Sequence, residues 1–420
     1  MEVPQPRKST AQADIGGLAA LSASLARCLS EENADSNLVF SPLSIYAALA
    51  LLAAGARGAT LDEVLRVVGA RSRGELEESV AGVVGGALKD ESGDGGPRIA
   101  FACGVWSELT CPLKAAYRRT VVDKFSAEAS SVDFIKNPEA ARGQINAWVA
   151  EATHDLIGSV FGPGSITPLT RVVLGSAVYF KGKWVNPFNE KRTKNKLFYR
   201  LDGSTVDTPF MKSLSPQFIA VHDGFKVLKL RYEMAVPQGY VSSNRKKRKR
   251  MSSGRNKRTK FSMCIFLPDD HDGLPNLVDM IASQPSFLHE HLPKEKVEVD
   301  EFRVPKFKLS FESGIVTVLE KLGLKLPFGD QADLSDMVEP DDSGLPTVVN
   351  GIIHKAVIEV NEEGTEAAAV TFTDIEYGCD MPESPPPGVD FVADHPFAYF
   401  IVEEVTGAII FAGHVLDLST

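Results

Sequence analysis

The sequence predicts an α+β protein. Ala/Leu-rich segments with helical spacing crowd its N-terminal part. Arg171 to Phe180 and Phe261 to Leu267 are almost continuously apolar, as strands buried on both faces are. No regular strand–helix–strand alternation joins the two kinds of segment, which separates this chain from the α/β folds.

Taken in order, Ile15 to Leu29 is apolar but broken by Ser22, Ser24 and Arg27, the pattern of an amphipathic helix. Ser44 to Ala56 is a second helix, stopped by Gly55 and Gly58. Leu61 to Val68 and Leu76 to Leu88 follow as helices, then a Gly/Asp loop from Asp90 to Pro97. Ile99 to Trp106 and Ala127 to Phe134 read as strands. Pro138 to Leu156 places Ile145, Trp148, Val149 and Ala152 on one helical face. Phe261 to Leu267 ends at the turn Asp269-Asp270-His271-Asp272-Gly273. Leu277 to Ile281 and Gly314 to Leu322 read as helical, Lys355 to Val360 as a strand, and Ala398 to Leu416 as two strands meeting at Glu404 to Gly407.

The 420 residues are 44% hydrophobic and 24% charged, ordinary globular usage. No linker rich in Pro, Gly and Ser divides them. The expectation is therefore one large domain over 14–420 after a flexible N-terminus, 1–13. That N-terminus lacks the uniform apolar core of a secretory signal, and no run is long enough to span a bilayer. Five scattered cysteines and no Asn-x-Ser/Thr sequon point to a reducing compartment. The expected location is the cytoplasm with a nuclear fraction.

Charge is uneven. Between Asn244 and Lys260 stand ten Lys or Arg and no acid, while the other 35 basic residues face 55 acidic ones, a balance of −20. The insert 242–260 thus holds the run Arg245-Lys246-Lys247-Arg248-Lys249-Arg250. It reads either as a solvated loop or as an import signal or polyanion-binding arm, with importin or a polyanion as partner. No aromatic lies in it for base stacking. Being far in sequence from Gly364, it is expected to act independently of that region.

Walker, Gly-x-Ser-x-Gly, Cys-x-x-Cys and His-Glu-x-x-His signatures are all missing, so no cofactor, metal or enzyme activity is expected. In His289-Glu290-His291 the histidines are two apart and do not share a helical face, which suggests a solvated surface.

The stretch Glu362-Glu363-Gly364-Thr365-Glu366-Ala367-Ala368-Ala369-Val370-Thr371-Phe372-Thr373 stands out. It sits where a connection is expected, yet carries small and β-branched residues. Alternate residues from Thr365 to Tyr377 are uncharged, and Glu366, Asp374 and Glu376 all fall in the other set. Such a loop could lie in a sheet with one face buried and its acids in water.

These residues closely resemble the reactive-centre hinge of the serpins. Asn37 to Ile45, Val178 to Trp184, Val304 to Lys308, His354-Lys355-Ala356, Asp394-His395-Pro396-Phe397 and Phe411 to Val415 fit the same family in the same order. The wording is most similar to plant serpins of the Z type. The resemblance implies about nine helices around three sheets and a reactive-centre loop over 362–390. It implies a hinge formed by Glu362, Glu363, Gly364, Thr365, Glu366, Ala367, Ala368, Ala369 and Thr371. It also implies a shutter of Ser41, Ser44, Ser176 and His354. The family has an asparagine where this chain has Ser176, and the shorter side chain is expected to lose the bond to His354 or to reach it through water. Spacing from Gly364 sets the reactive bond at Gly378-Cys379. The implied function is suicide-substrate inhibition of a serine or papain-like cysteine endopeptidase by a monomer that forms a covalent complex. The alternative is a non-inhibitory serpin acting as a binding or nuclear-associated protein.

Overall fold

The computed structural model describes residues 15–234, 260–341, 347–365 and 388–419. The expected reactive bond, the hinge residues from Glu366 to Thr371 and the run Arg245 to Arg250 lie outside these residues.

Nine α-helices are present among the described residues: α1 Ile15–Glu32, α2 Pro42–Gly55, α3 Gly58–Val68, α4 Arg73–Ala87, α5 Ala115–Phe125, α6 Pro138–Ala152, α7 Leu274–Ser283, α8 Phe287–Glu290 and α9 Val316–Lys321. The strands are β1 Leu38–Phe40, β2 Arg98–Glu108, β3 Glu128–Val132, β4 Val172–Lys183, β5 Lys194–Tyr199, β6 Thr205–Met211, β7 Gln217–His222, β8 Phe225–Arg231, β9 Phe261–Pro268, β10 Lys296–Val297, β11 Phe302–Pro305, β12 Phe307–Gly314, β13 Val349–Val360, β14 Gly364–Thr365, β15 Phe391–Val392, β16 Phe397–Glu403 and β17 Ile409–Val415. They form three sheets: six strands ordered β12-β13-β14-β4-β2-β3, seven ordered β1-β17-β16-β9-β8-β7-β10, and four ordered β15-β11-β6-β5.

Helix α2 explains how two of the sheets come together. Every one of its 14 residues is buried. A helix apolar all round has no side to offer water, so it must lie inside. It packs against β2, β4 and β13 of the six-stranded sheet and β17 of the seven-stranded one. Its start is two residues earlier than the sequence suggests, with Pro42 in the first turn and Ser41 as N-cap, whose Oγ accepts the Ser44 N–H at 3.2 Å.

Three expectations need correction. The helix from Pro138 stops at Ala152 because His154 and Asp155 take left-handed backbone angles, φ 52° and 61°. Gly314 ends β12, and the helix expected from it begins at Val316. His289 and His291 are half-buried: His289 Nε2 lies 2.9 Å from the Gly407 carbonyl and His291 Nδ1 2.7 Å from that of Phe287. Their nitrogens serve backbone carbonyls that a solvated pair would leave to water. The four described cysteines, Cys28, Cys103, Cys111 and Cys264, are buried and unpaired. No helix among the described residues is long and apolar enough to cross a membrane.

Candidate functional site

The six-stranded sheet contains a seam. Strands β4 and β13 run parallel and pair directly from Val172/Val349 to Tyr179/Val357. Above that point they part, and β14 occupies the gap. Thr365 pairs antiparallel with Val360 on one side and Gly182 on the other. The chain therefore leaves the top of β13, turns, and starts back down between the two strands.

Local chemistry sets that turn. Asn361 Oδ1 accepts the Glu363 and Gly364 N–H groups at 3.1 and 3.2 Å, and the Asn361 N–H donates to the Gly364 carbonyl at 2.8 Å. An asparagine closing a turn on its own backbone is a strong local signal. Gly364 is required sterically, since a Cβ there would stand 2.0 Å from the Gly182 carbonyl oxygen. Gly182 is required in turn because its Cβ would lie 2.7 Å from the Tyr232 ring.

Thr365 is fully buried, and its Oγ1 lies 2.7 Å from the Tyr232 hydroxyl. The Tyr232 ring stacks on Trp184, centroids 4.5 Å apart and planes 23° apart, and meets Phe180 edge-on. Trp184 Nε1 donates to the Asn361 carbonyl at 2.9 Å. Glu362 anchors the turn from outside: Thr193 donates to one carboxylate oxygen at 2.7 Å, and Lys306 pairs with the other at 2.8 Å. Burial pushes this carboxyl up, but the Lys306 and Thr193 contacts outweigh it and hold the group below its ordinary value. The main chain adds Phe188 N–H to the Glu362 carbonyl and Trp184 N–H to the Glu363 carbonyl.

Sequence reasoning had no signal for Tyr232, which belongs to none of the motifs it used. The described chain stops at Met234 and resumes at Lys260, so of the basic insert 242–260 only Lys260 lies among the described residues.

Lower in the seam, Ser41, Ser44, Ser176 and His354 come together. His354 on β13 and Ser176 on β4 are register partners. The Ser41 N–H donates to His354 Nε2 at 2.9 Å, so the ring proton belongs on Nδ1, 3.0 Å from Ser176 Oγ. The expectation that serine is too short is thus corrected: adjacent strands bring its Oγ within direct reach. Ser44 supplies its N–H to Ser41, while its own Oγ is buried without a hydrogen-bond partner among the described residues. The group ties α2, β13 and β4 at one point. A strand entering between β4 and β13 would double their separation, to roughly 9.6 Å, and break the His354–Ser176 bond.

Complete burial pushes His354 down to about 3 from an ordinary 6.5. Between those values the unfolded chain binds a proton that the folded chain refuses. The contribution of His354 is therefore whole above pH 6.5 and falls as pH drops through the window, by about 1.4 kcal/mol per unit. Melting temperatures taken at about pH 7 and about pH 5 should show the loss, and His354→Gln should reduce the slope. An identical slope in the variant would remove His354 from the account.

The chain matches the family model "Serpin (serine protease inhibitor)" over residues 17–418. A rice serpin-Z relative is 53% identical over 98% of this chain and 98% of its own length. Serpin-Z2A of Oryza sativa subsp. japonica is 47% identical over 96% of this chain and 97% of its own. Among solved structures, Arabidopsis AtSerpin1 in its native stressed conformation superposes with a TM-score of 0.84 at 34% identity, covering 98% of this chain and all of that one. The fold, the split sheet and these relatives agree that the chain belongs to the serpin family.

Proposed function

We propose that this serpin inhibits an endopeptidase irreversibly, as a suicide substrate, and is not itself an enzyme. One observation carries the reading. The chain at Asn361 to Thr365 has already turned back into the sheet, directly above a seam where β4 and β13 pair with each other. Continued entry of 366–377 would run antiparallel to both neighbours and add a strand.

The target's nucleophile attacks the carbonyl carbon of Gly378. The Gly378–Cys379 amide breaks, the new amine of Cys379 leaves with a proton, and Gly378 remains esterified or thioesterified to the protease. Insertion then carries the attached enzyme away before water can release it. Glycine at Gly378 offers no side chain to a primary pocket, so trypsin-like targets are disfavoured. Tyr377 fits the adjacent apolar pocket of a papain-like cysteine protease, and a serine protease that accepts small residues is the second class.

Incubation with papain should give a complex that survives SDS and carries both chains. Quantitative cleavage near Gly378 with no such species, for papain and for an elastase-like enzyme, would leave the non-inhibitory reading in its place.

A further inference from the structure

We propose that Asn350 is a releasable latch at the foot of the seam, a positioning residue for the trapping proposed above, on which this inference rests. Asn350 holds β4 and β13 together in the intact chain and is displaced when an entering strand reaches the bottom of the gap.

A break in the ladder marks the place. Parallel pairing of β13 with β4 runs regularly from Val357/Tyr179 down to Gly351/Val173, but the next pair is Val349/Val172. Asn350 is the extra residue, without a register partner on β4. A bulge leaves its extra residue unpaired and interrupts the ladder. Here a side chain bridges the interruption: Asn350 Oδ1 accepts the Arg171 N–H at 2.6 Å and the Val172 N–H at 3.3 Å. Backbone N–H groups only donate, so the amide atom facing them is the oxygen. The foot of the seam is therefore fastened through one exposed side chain. A ladder bond opens only when a strand moves, whereas this one opens when a side chain changes rotamer.

The latch occupies a donor that an entering strand needs. Arg171 turns its carbonyl to the Glu108 N–H of β2, 2.8 Å away. Successive residues of a strand direct their main-chain groups to opposite edges, so Val172 presents its N–H to the gap. The register of entry is set at the top, where Thr365 faces Val360 of β13 and Gly182 of β4. Ten residues further along, an antiparallel strand brings position 375 opposite Asn350 and Val172 together. The carbonyl of 375 then takes the Val172 N–H. Asn350 lets go, carried out of reach as β4 and β13 separate to roughly 9.6 Å. One acceptor replaces another, so the foot stays closed until entry is nearly complete and Val172 is never left unserved.

The test reads amide hydrogen exchange residue by residue in the full chain, intact and cut after Tyr377 or Gly378. In the intact chain, Asn350→Ala should speed exchange at Arg171 and Val172 about fivefold or more. Asn350→Asp keeps an acceptor oxygen and should stay near the parent rate. Because the side chain is exposed, amides of β9 and β16 should exchange as in the parent. In the cut chain, Val172 should exchange equally in the parent and in Asn350→Ala, whereas a merely structural cap would act in both forms alike. Unchanged exchange in the intact Ala variant would overturn the latch. So would a cut chain that melts higher than the intact one while its Val172 amide still exchanges faster in Asn350→Ala, a result that leaves the inhibitory reading standing. A cut chain that melts with the intact one would overturn both.

Discussion

A single cut between Thr373 and Cys379 should raise the melting temperature by about 10 °C or more. In the intact chain, β4 and β13 share one ladder of eight register pairs. A strand entering between them replaces that ladder with two, so the net gain is one ladder of roughly eight bonds at about 1 kcal/mol each. The new pairings are antiparallel, which favours them slightly over the parallel one lost. At about 2.1 cal/mol/K per residue, the 420-residue chain has an unfolding entropy near 0.9 kcal/mol/K, so eight such bonds correspond to roughly 10 °C. Burial of Ala367, Ala369 and Thr371 on the inner face adds to this. Limited proteolysis followed by calorimetry checks it. Cut and intact protein melting together would mean that the loop does not enter the sheet, and the inhibitory reading would lose its basis.

Much of this site was legible in the sequence because its constraints are local or periodic. The apolar run of β4 and the all-round apolar α2 can only be interior, and the alternation after Gly364 names an expected buried set whose members beyond Thr365 lie outside the described residues. Thr365, the first member of that set, is indeed fully buried. What escaped was set by partners far along the chain. Strand β5 is exposed at its first four positions and β7 is half-buried along most of its length, so neither shows a clear alternation. Helix α5 buries only Tyr117, Val121 and Phe125. Tyr232 matters because an isolated bridge to Trp184 places it beside Thr365, a contact across 133 residues. The reach of Ser176 to His354 depends on register between parallel strands, which composition does not report.

The second large effect concerns Thr365→Arg, which should convert an inhibitor into a substrate. Thr365 is fully buried between β13 and β4, with its hydroxyl committed to Tyr232. A guanidinium there finds no carboxylate in the contacts described for this position. An unpaired buried charge costs several kcal/mol, so the hinge would be expelled from the gap. Cleavage near Gly378 needs only an exposed loop and should keep its rate. Trapping is a race between insertion and deacylation, and slowing insertion by about 3 kcal/mol costs roughly 100-fold in that race. Covalent complex should therefore vanish while cleaved chain accumulates. Two further variants separate charge from fit. Thr365→Ser keeps the hydroxyl and should still trap. Thr365→Val strands the Tyr232 hydroxyl, at about 1–3 kcal/mol, and should fall between the two. An Arg variant that forms complex in undiminished yield would show that Thr365 need not enter the sheet for trapping, and the assignment of the inner face would fail with it.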